Sequence, residues 1–351
     1  MSIEFLGSKR RLLDFLTQRI GHHAQEGQHF ADLFCGTASV AGAFRGLGLR
    51  VTANDHLALC STIAEARLLN DGLPRFEGLL GADEIPADEA RHPYLTVLSL
   101  LNELPPGDGF VYRNYSPASL QHGAVSRMYF TEENARRIDA IRGRIEDWEP
   151  YLSRGERSLL IADLLKAASL CSNTAGTYGC FLKRWKPRAL DLLQLAPSSR
   201  PSSKGAGHSV FREDAEDLAG SLEADVVYAD PPYTKRQYAA YYHVLETIAR
   251  YDDPELVGKT GLRPWAEESS DFCYRRKAPA ALERLVGRIR ARHFFLSYNA
   301  DGQIADEEIR EILSDRGKLT VAEVPYQRYR SSRLPHRGPL VTERLYHLAL
   351  E

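Results

Sequence analysis

Asp230, Pro231, Pro232 and Tyr233 place a carboxylate, two ring-locked backbone units and an aromatic ring in succession, directly after the apolar run Val226-Val227-Tyr228-Ala229. Asp230 can accept a hydrogen bond from an amino group. So can the Pro231 carbonyl, which no following N–H claims locally. Two acceptors on one nitrogen draw its lone pair out of the plane of the ring that bears it, towards a methyl donor, and Tyr233 can stack on that ring. The chemistry these residue types suit is therefore methylation of a planar amine. The same four residues also fit a plainer role, a strand followed by a Pro-Pro turn in which the aspartate caps a helix.

Such a group works only if the chain presents it at a defined edge. Residues 224–229 are short, β-branched and aromatic, the pattern of a buried strand in a parallel sheet. The prolines end that strand, since neither supplies a backbone N–H and each restricts the residue before it. Asp230 then leaves the carboxyl end of a strand, where open α/β sheets hold their ligands. A second strand-to-turn passage, Phe30-Ala31-Asp32-Leu33-Phe34-Cys35-Gly36, runs through small residues into a helix, so that backbone can approach a ligand closely. A third strand, 49–54, ends in Asp55, at the spacing of a ribose-binding acid or as the cap of the helix that follows. Val210-Phe211-Arg212-Glu213-Asp214 reads as a fourth strand. Its Asp214 either holds the adenine amino group of a methyl donor or caps a helix. At the start of the chain, Gly7 and Ser8 turn into an amphipathic helix, with Lys9 in its first turn, either solvated or turned to the site.

Between residues 71 and 207 the strand–helix rhythm gives way to helices and loops. Residues 131–148 carry Ile138, Ile141 and Ile145 at helical spacing, and Ser153 with Glu156 forms a capping-box signature for a helix reaching Cys171. Residues 173–181 mix two glycines with small polar and aromatic side chains ahead of a basic cluster at 183–188. This reads either as a loop that approaches a nucleic-acid backbone or as a tight turn. The stretch 197–207, rich in Pro, Ser and Gly, reads as a linker back to the sheet. One helix is expected over 236–246, with Tyr238, Tyr242 and Leu245 on its core stripe and His243 structural. The segments 319–324 and 344–350 alternate as an antiparallel pair.

The chain has 351 residues, a net charge of −2 and five cysteines. The length suffices for one large domain or two modest ones. Near-neutrality confines any nucleic-acid surface to local basic clusters, among them 9–11, 183–188, 275–277 and 328–337. The cysteines show neither close pairing nor metal-ligand spacing, so a reduced, cytoplasmic protein with no metal site is expected. No apolar run is long enough to span a bilayer.

Taken in order, these motifs resemble the bacterial adenine-specific DNA methyltransferases whose cofactor motifs precede the target-recognition region and whose Asp-Pro-Pro-Tyr motif follows it. The likeness is strongest to the subgroup associated with type IIS restriction systems. It rests on Phe5-Leu6-Gly7-Ser8-Lys9, Asp32-Leu33-Phe34-Cys35-Gly36, Asp55, Arg127-Met128-Tyr129-Phe130-Thr131, residues 173–181, Asp230-Pro231-Pro232-Tyr233, Arg236-Gln237-Tyr238 and residues 326–331. It implies an α/β, Rossmann-like S-adenosylmethionine-dependent methyltransferase sheet of seven strands, carried by 1–70 and 208–351, with an inserted, mainly helical target-recognition domain at 71–207. S-adenosylmethionine would lie against Phe5, Gly7, Ser8, Lys9, Asp32, Phe34, Cys35, Gly36, Asp55, Asp214 and Asp230. Asp230, Pro231, Pro232 and Tyr233 would act on an adenine flipped out of double-stranded DNA. DNA contacts would come from Thr177, Tyr178, Lys183, Arg184, Arg328, Arg330 and Arg333, and a cognate restriction endonuclease would be a partner. Where the common pattern carries a second glycine, this chain has Ala38. The 4-amino group of cytosine, a base in RNA, or DNA binding without catalysis on the same scaffold are the alternatives.

Overall fold

A computed structural model describes residues 5–82, 84, 85, 92–123, 125–198, 207–327 and 340–350. The chain divides into two compact units. One comprises Met1–Phe5, Glu65–Ser202 and Tyr238–Glu267, and the other Leu6–Ala64, Ser203–Gln237 and Glu268–Glu351. The basic run at 328–337, with Arg328, Arg330 and Arg333, lies outside the described residues, as do residues 199–206 of the linker.

The second unit is built on a sheet. Among the described residues seven strands pair: β1 (His29–Asp32), β2 (Arg50–Asn54), β3 (Ser209–Phe211), β4 (Glu223–Ala229), β5 (Arg290–Asn299), β6 (Gly317–Gln327) and β7 (Leu340–Leu350), in the order β3-β2-β1-β4-β5-β7-β6. The first five are parallel, and β7 inserts antiparallel between β5 and β6. Their sequences explain the parallel part: β1 is buried at all four positions and β4 over its last four, as strands covered on both faces must be. Connections leave β1 towards β2 on one side while β4 pairs on the other. The crevice of this doubly wound sheet therefore opens at the carboxyl ends of β1 and β4. On one face Leu218, Leu282, Leu285 and Leu313 pack with Val227, Phe294, Leu296 and Leu348. On the other, Phe44 of the helix Ser39–Gly46 stacks on Phe30 of β1 at 4.1 Å.

The first unit is helical in its described residues. Its longest elements are Glu132–Asp147 and Arg154–Cys171, where helical periodicity and the capping box place them. Thr131 accepts the amide of Asn134, and Ser153 and Glu156 satisfy each other's backbone N–H groups. The single helix expected over 236–246 is instead two, Tyr238–Tyr241 and His243–Arg250. Tyr242 leaves helical geometry between them (φ −116°, ψ 16°), and its fully buried ring stacks on Phe5 at 4.5 Å. No helix of the described residues is long and apolar enough to cross a membrane.

The capping box yields a stability prediction. Ser153→Ala removes one reciprocal cap and should lower unfolding stability by about 1 kcal/mol, read from the urea midpoint of the transition that includes the helical unit.

Candidate active site

The β4 strand delivers Asp230 to the sheet's carboxyl edge, and the carboxylate does not stand alone there. Lys9 Nζ lies 2.7 Å from Asp230 Oδ1 and 3.0 Å from Glu343 Oε1, with Lys9, Asp230 and Glu343 only 5 %, 14 % and 1 % exposed. Lys9 enters from a 3-10 turn, Lys9–Leu12, ahead of the helix Leu13–Gly21, and Glu343 comes from β7. Glu343 is held in turn by Ser297 Oγ, which donates to Oε1 at 2.7 Å, and by Asn299 Nδ2, which donates to Oε2 at 3.3 Å. Both donors sit at the end of β5, paired with β7 so that Asn299 faces Glu343. Two carboxylates and one ammonium leave this buried cluster one negative charge in excess.

Asp230 is the group at which a proton relieves that excess. Burial raises its pKa, Lys9 opposes the rise and Glu343 adds to it, and the carboxyl ends at about 7. Burial would lower the Lys9 ammonium, but Asp230 and Glu343 outweigh it and hold the group well above its ordinary value. Lys9 Nζ also lies 5.3 Å from the centre of the Tyr233 ring, which meets Tyr298 edge-on at 6.2 Å. The half-buried Tyr233 ring is thus fixed beside the carboxylate.

The neighbouring strand ends are tied into one piece by Asn54. Its Nδ2 donates to the carbonyls of Leu33 and Glu213, and its Oδ1 accepts the Glu213 amide, so the loops after β1, β2 and β3 share one side chain. Asp55, next in the chain, turns both carboxylate oxygens to backbone amides. Its Oδ1 accepts the Leu57 amide ahead of the helix Ala58–Leu68, while Oδ2 accepts the amide of Gly36 at 2.9 Å. Gly36 has φ 49°, and Ala38, two residues on, also takes the left-handed conformation at φ 52°. An alanine there is strained by about 1–2 kcal/mol, so the departure from a second glycine leaves the turn's shape intact and adds strain to it. Asp32 is buried, and its Oδ1 has no hydrogen-bond partner among the described residues. Burial first, then the charges of Asp230 and Asp55, hold its carboxyl well above the usual range.

The other expected site residues are placed as follows. Phe34 is half-buried and meets Phe272 edge-on at 5.6 Å, Cys35 is buried, Gly7 is half-buried and Ser8 is exposed. Asp214 is exposed and caps the helix Ala215–Ser221 through the Glu216 amide at 2.8 Å. Phe5 belongs to the helical unit, stacked on Tyr242. In that unit Lys183 and Arg184 are exposed and Thr177 half-buried, whereas Tyr178, expected at the DNA, is buried at 2 % exposure. Asn173 explains the burial: it accepts the Lys186 amide and donates to the carbonyls of Met128 and Leu182, turning the loop inward. Tyr129 Oη and His243 Nε2 both donate to the Tyr178 carbonyl. Burial lowers His243 to about 4, which keeps the ring neutral in its structural role. Sequence reading missed Glu343, Ser297, Asn299 and Asn54. The one available signal was their type: polar residues at the ends of otherwise apolar strands.

The chain matches the model of the D12 class N6 adenine-specific DNA methyltransferases over residues 5–320. It is 37 % identical over 340 residues to the type II methyltransferase M.FokI of Planomicrobium okeanokoites, covering 94 % of this chain and 50 % of that protein. It is 38 % identical over 335 residues to the modification methylase LlaI of Lactococcus lactis subsp. lactis, covering 93 % and 51 %. With the type II methyltransferase M.NlaIII of Neisseria lactamica it shares 33 % identity over 341 residues, 96 % of this chain and 95 % of the relative. The chain thus spans about half the length of the first two relatives and nearly all of the third. By the extent of these matches, the chain belongs to the D12 class N6 adenine-specific DNA methyltransferases.

Proposed function

We propose that the protein moves the methyl group of S-adenosylmethionine to the exocyclic 6-amino group of an adenine flipped out of duplex DNA. The observation that carries this reading is the buried Lys9–Asp230–Glu343 cluster beside Tyr233, at the carboxyl edge of a doubly wound sheet. S-adenosylmethionine, when bound, supplies a methyl group on a sulfonium cation. The residues present fit such a ligand. The net acidity of the Lys9–Asp230–Glu343 cluster and the unpartnered Oδ1 of Asp32 suit a cation and its polar groups. The Gly36 turn held by Asp55 brings backbone to the same edge.

The chain's own part in the reaction is positioning and electrostatics. Flipping the base costs a few kcal/mol, and stacking on Tyr233 returns about 1–3 kcal/mol. Asp230 and the Pro231 carbonyl accept the two amino hydrogens and turn the nitrogen lone pair towards the methyl group, in line with the bond that breaks. As the nitrogen gains its new bond it becomes cationic, and ionised Asp230 stabilises that charge and takes the proton it sheds. Lys9 and Glu343 keep the carboxylate oriented. The exposed pair Lys183 and Arg184 contacts phosphate. The protein serves as the modification enzyme of a restriction–modification system, a reading supported by relatives named a type II methyltransferase and a modification methylase.

The direct test is incubation with S-adenosylmethionine and unmethylated DNA, followed by mass spectrometry of the nucleosides. A rise in 6-methyladenine is expected; 4-methylcytosine alone, or no methylated base, would overturn the assignment. Asp230→Ala should abolish methylation while S-adenosylmethionine binding, measured by calorimetry, stays within a few-fold. The transfer rate should climb with pH through about 7 as Asp230 ionises. Glu343→Gln removes the negative neighbour that raises Asp230 and should move that limb of the single-turnover profile to lower pH. Replacing Lys183 and Arg184 together by alanine should weaken DNA binding for all sequences alike and flatten the log–log salt dependence by about 2, at about 0.9 per phosphate contact.

A further inference from the structure

At the far end of the face that carries Glu343 and Ser297, three histidines converge. His23 follows the helix Leu13–Gly21, His293 lies near the start of β5 and His347 lies in β7. The register sets His293 opposite Ala349 and Phe295 opposite His347, so the two strand histidines are diagonal neighbours on one side of the sheet. One ring nitrogen from each of the three lies within 4.8 Å of the others, and His293 Nδ1 is 3.1 Å from His347 Nε2. The rings are mutually tilted by 43–54°, so no pair is stacked face to face.

Three features favour a donor set over simple packing. A tetrahedral site with metal–nitrogen bonds of about 2.0–2.1 Å sets its nitrogens about 3.4 Å apart, close to the His293–His347 spacing. His347 Nδ1 is 3.4 Å from Thr320 Oγ1, and a hydrogen bond there leaves Nε2 to face the other two rings, the usual outer support of a metal-bound imidazole. All three rings are half-buried, which leaves a fourth position to water.

We infer that His23, His293 and His347 form a binding site for a late first-row divalent cation, zinc being the natural probe. Imidazole nitrogens suit zinc, copper and nickel over magnesium or calcium. The site is separate from the reacting carboxylate: His293 and Ser297 are four residues apart on β5, about 13 Å at strand rise, with Phe295 between them and stacked on His347 at 4.4 Å. Occupancy would tie the end of the helix that follows Lys9 to β5 and β7, and so brace the segment that supplies the ammonium.

Tag-free protein stripped with chelator and titrated with zinc against a chromogenic competitor should bind one equivalent. Cobalt(II) in its place should give the visible bands of a low-coordinate site. His23→Gln and His347→Gln should each weaken zinc binding at least tenfold and abolish the zinc-dependent rise in melting temperature. His23→Gln alters a half-buried position at a helix end and keeps the test valid if the β7 variant misfolds. Absence of zinc binding by the parent, or equal binding by the parent and His23→Gln, would overturn the inference.

Discussion

The structure depends on keeping Lys9 buried with two carboxylates. Removing ions from water costs several kcal/mol each, and their attraction offsets this only when geometry is tight and the remaining lone pairs are satisfied. Here the geometry is supplied from three distant parts of the chain: the N-terminal turn, the end of β4 and the first half of β7. Ser297 and Asn299 complete Glu343, so β5 must end in polar residues after a run of buried apolar ones. The antiparallel insertion of β7 between β5 and β6 places Glu343 beside the strand end that carries its donors.

The loops after β1, β2 and β3 obey a second constraint, that backbone at the open edge of a sheet needs side chains to hold its shape. Asn54 and Asp55, adjacent in sequence, point to different partners and lock three strand-end loops and the Gly36 turn. Such preorganisation keeps the ordering entropy of these loops out of the binding step. The strained Ala38 persists because the surrounding turn and helix over-determine it.

What was legible in the sequence was local. The run into Asp230-Pro231-Pro232-Tyr233, the acids ending β1 and β2, and the capping box at Ser153 all declare themselves within a few residues, and each lies where its pattern puts it. What was not legible depends on register and on distant partners. Alternation in β6 and β7 tells which residues share a face, but not that Glu343 of β7 rather than Glu323 of β6 meets an ammonium from residue 9. Small polar residues around Tyr178 suggested an exposed loop, yet Asn173 and His243, one adjoining the loop and one far along the chain, draw it inward. The three histidines are equally silent, since their proximity is created by strand pairing alone.

The placement of Glu343 in β7 bears on how the protein comes into being. Lys9 and Asp230 emerge from the ribosome well before residue 343, and contacts of such sequence separation form late because loop closure must come first. Until β7 threads between its neighbours, the sheet has an open edge at β5, and Lys9 lacks one of its two counter-charges. Until residue 343 has joined the sheet, the charge around Lys9 and Asp230 is therefore incomplete. One strand thus does two things at once: it covers the β5 edge and completes the charge around Lys9 and Asp230.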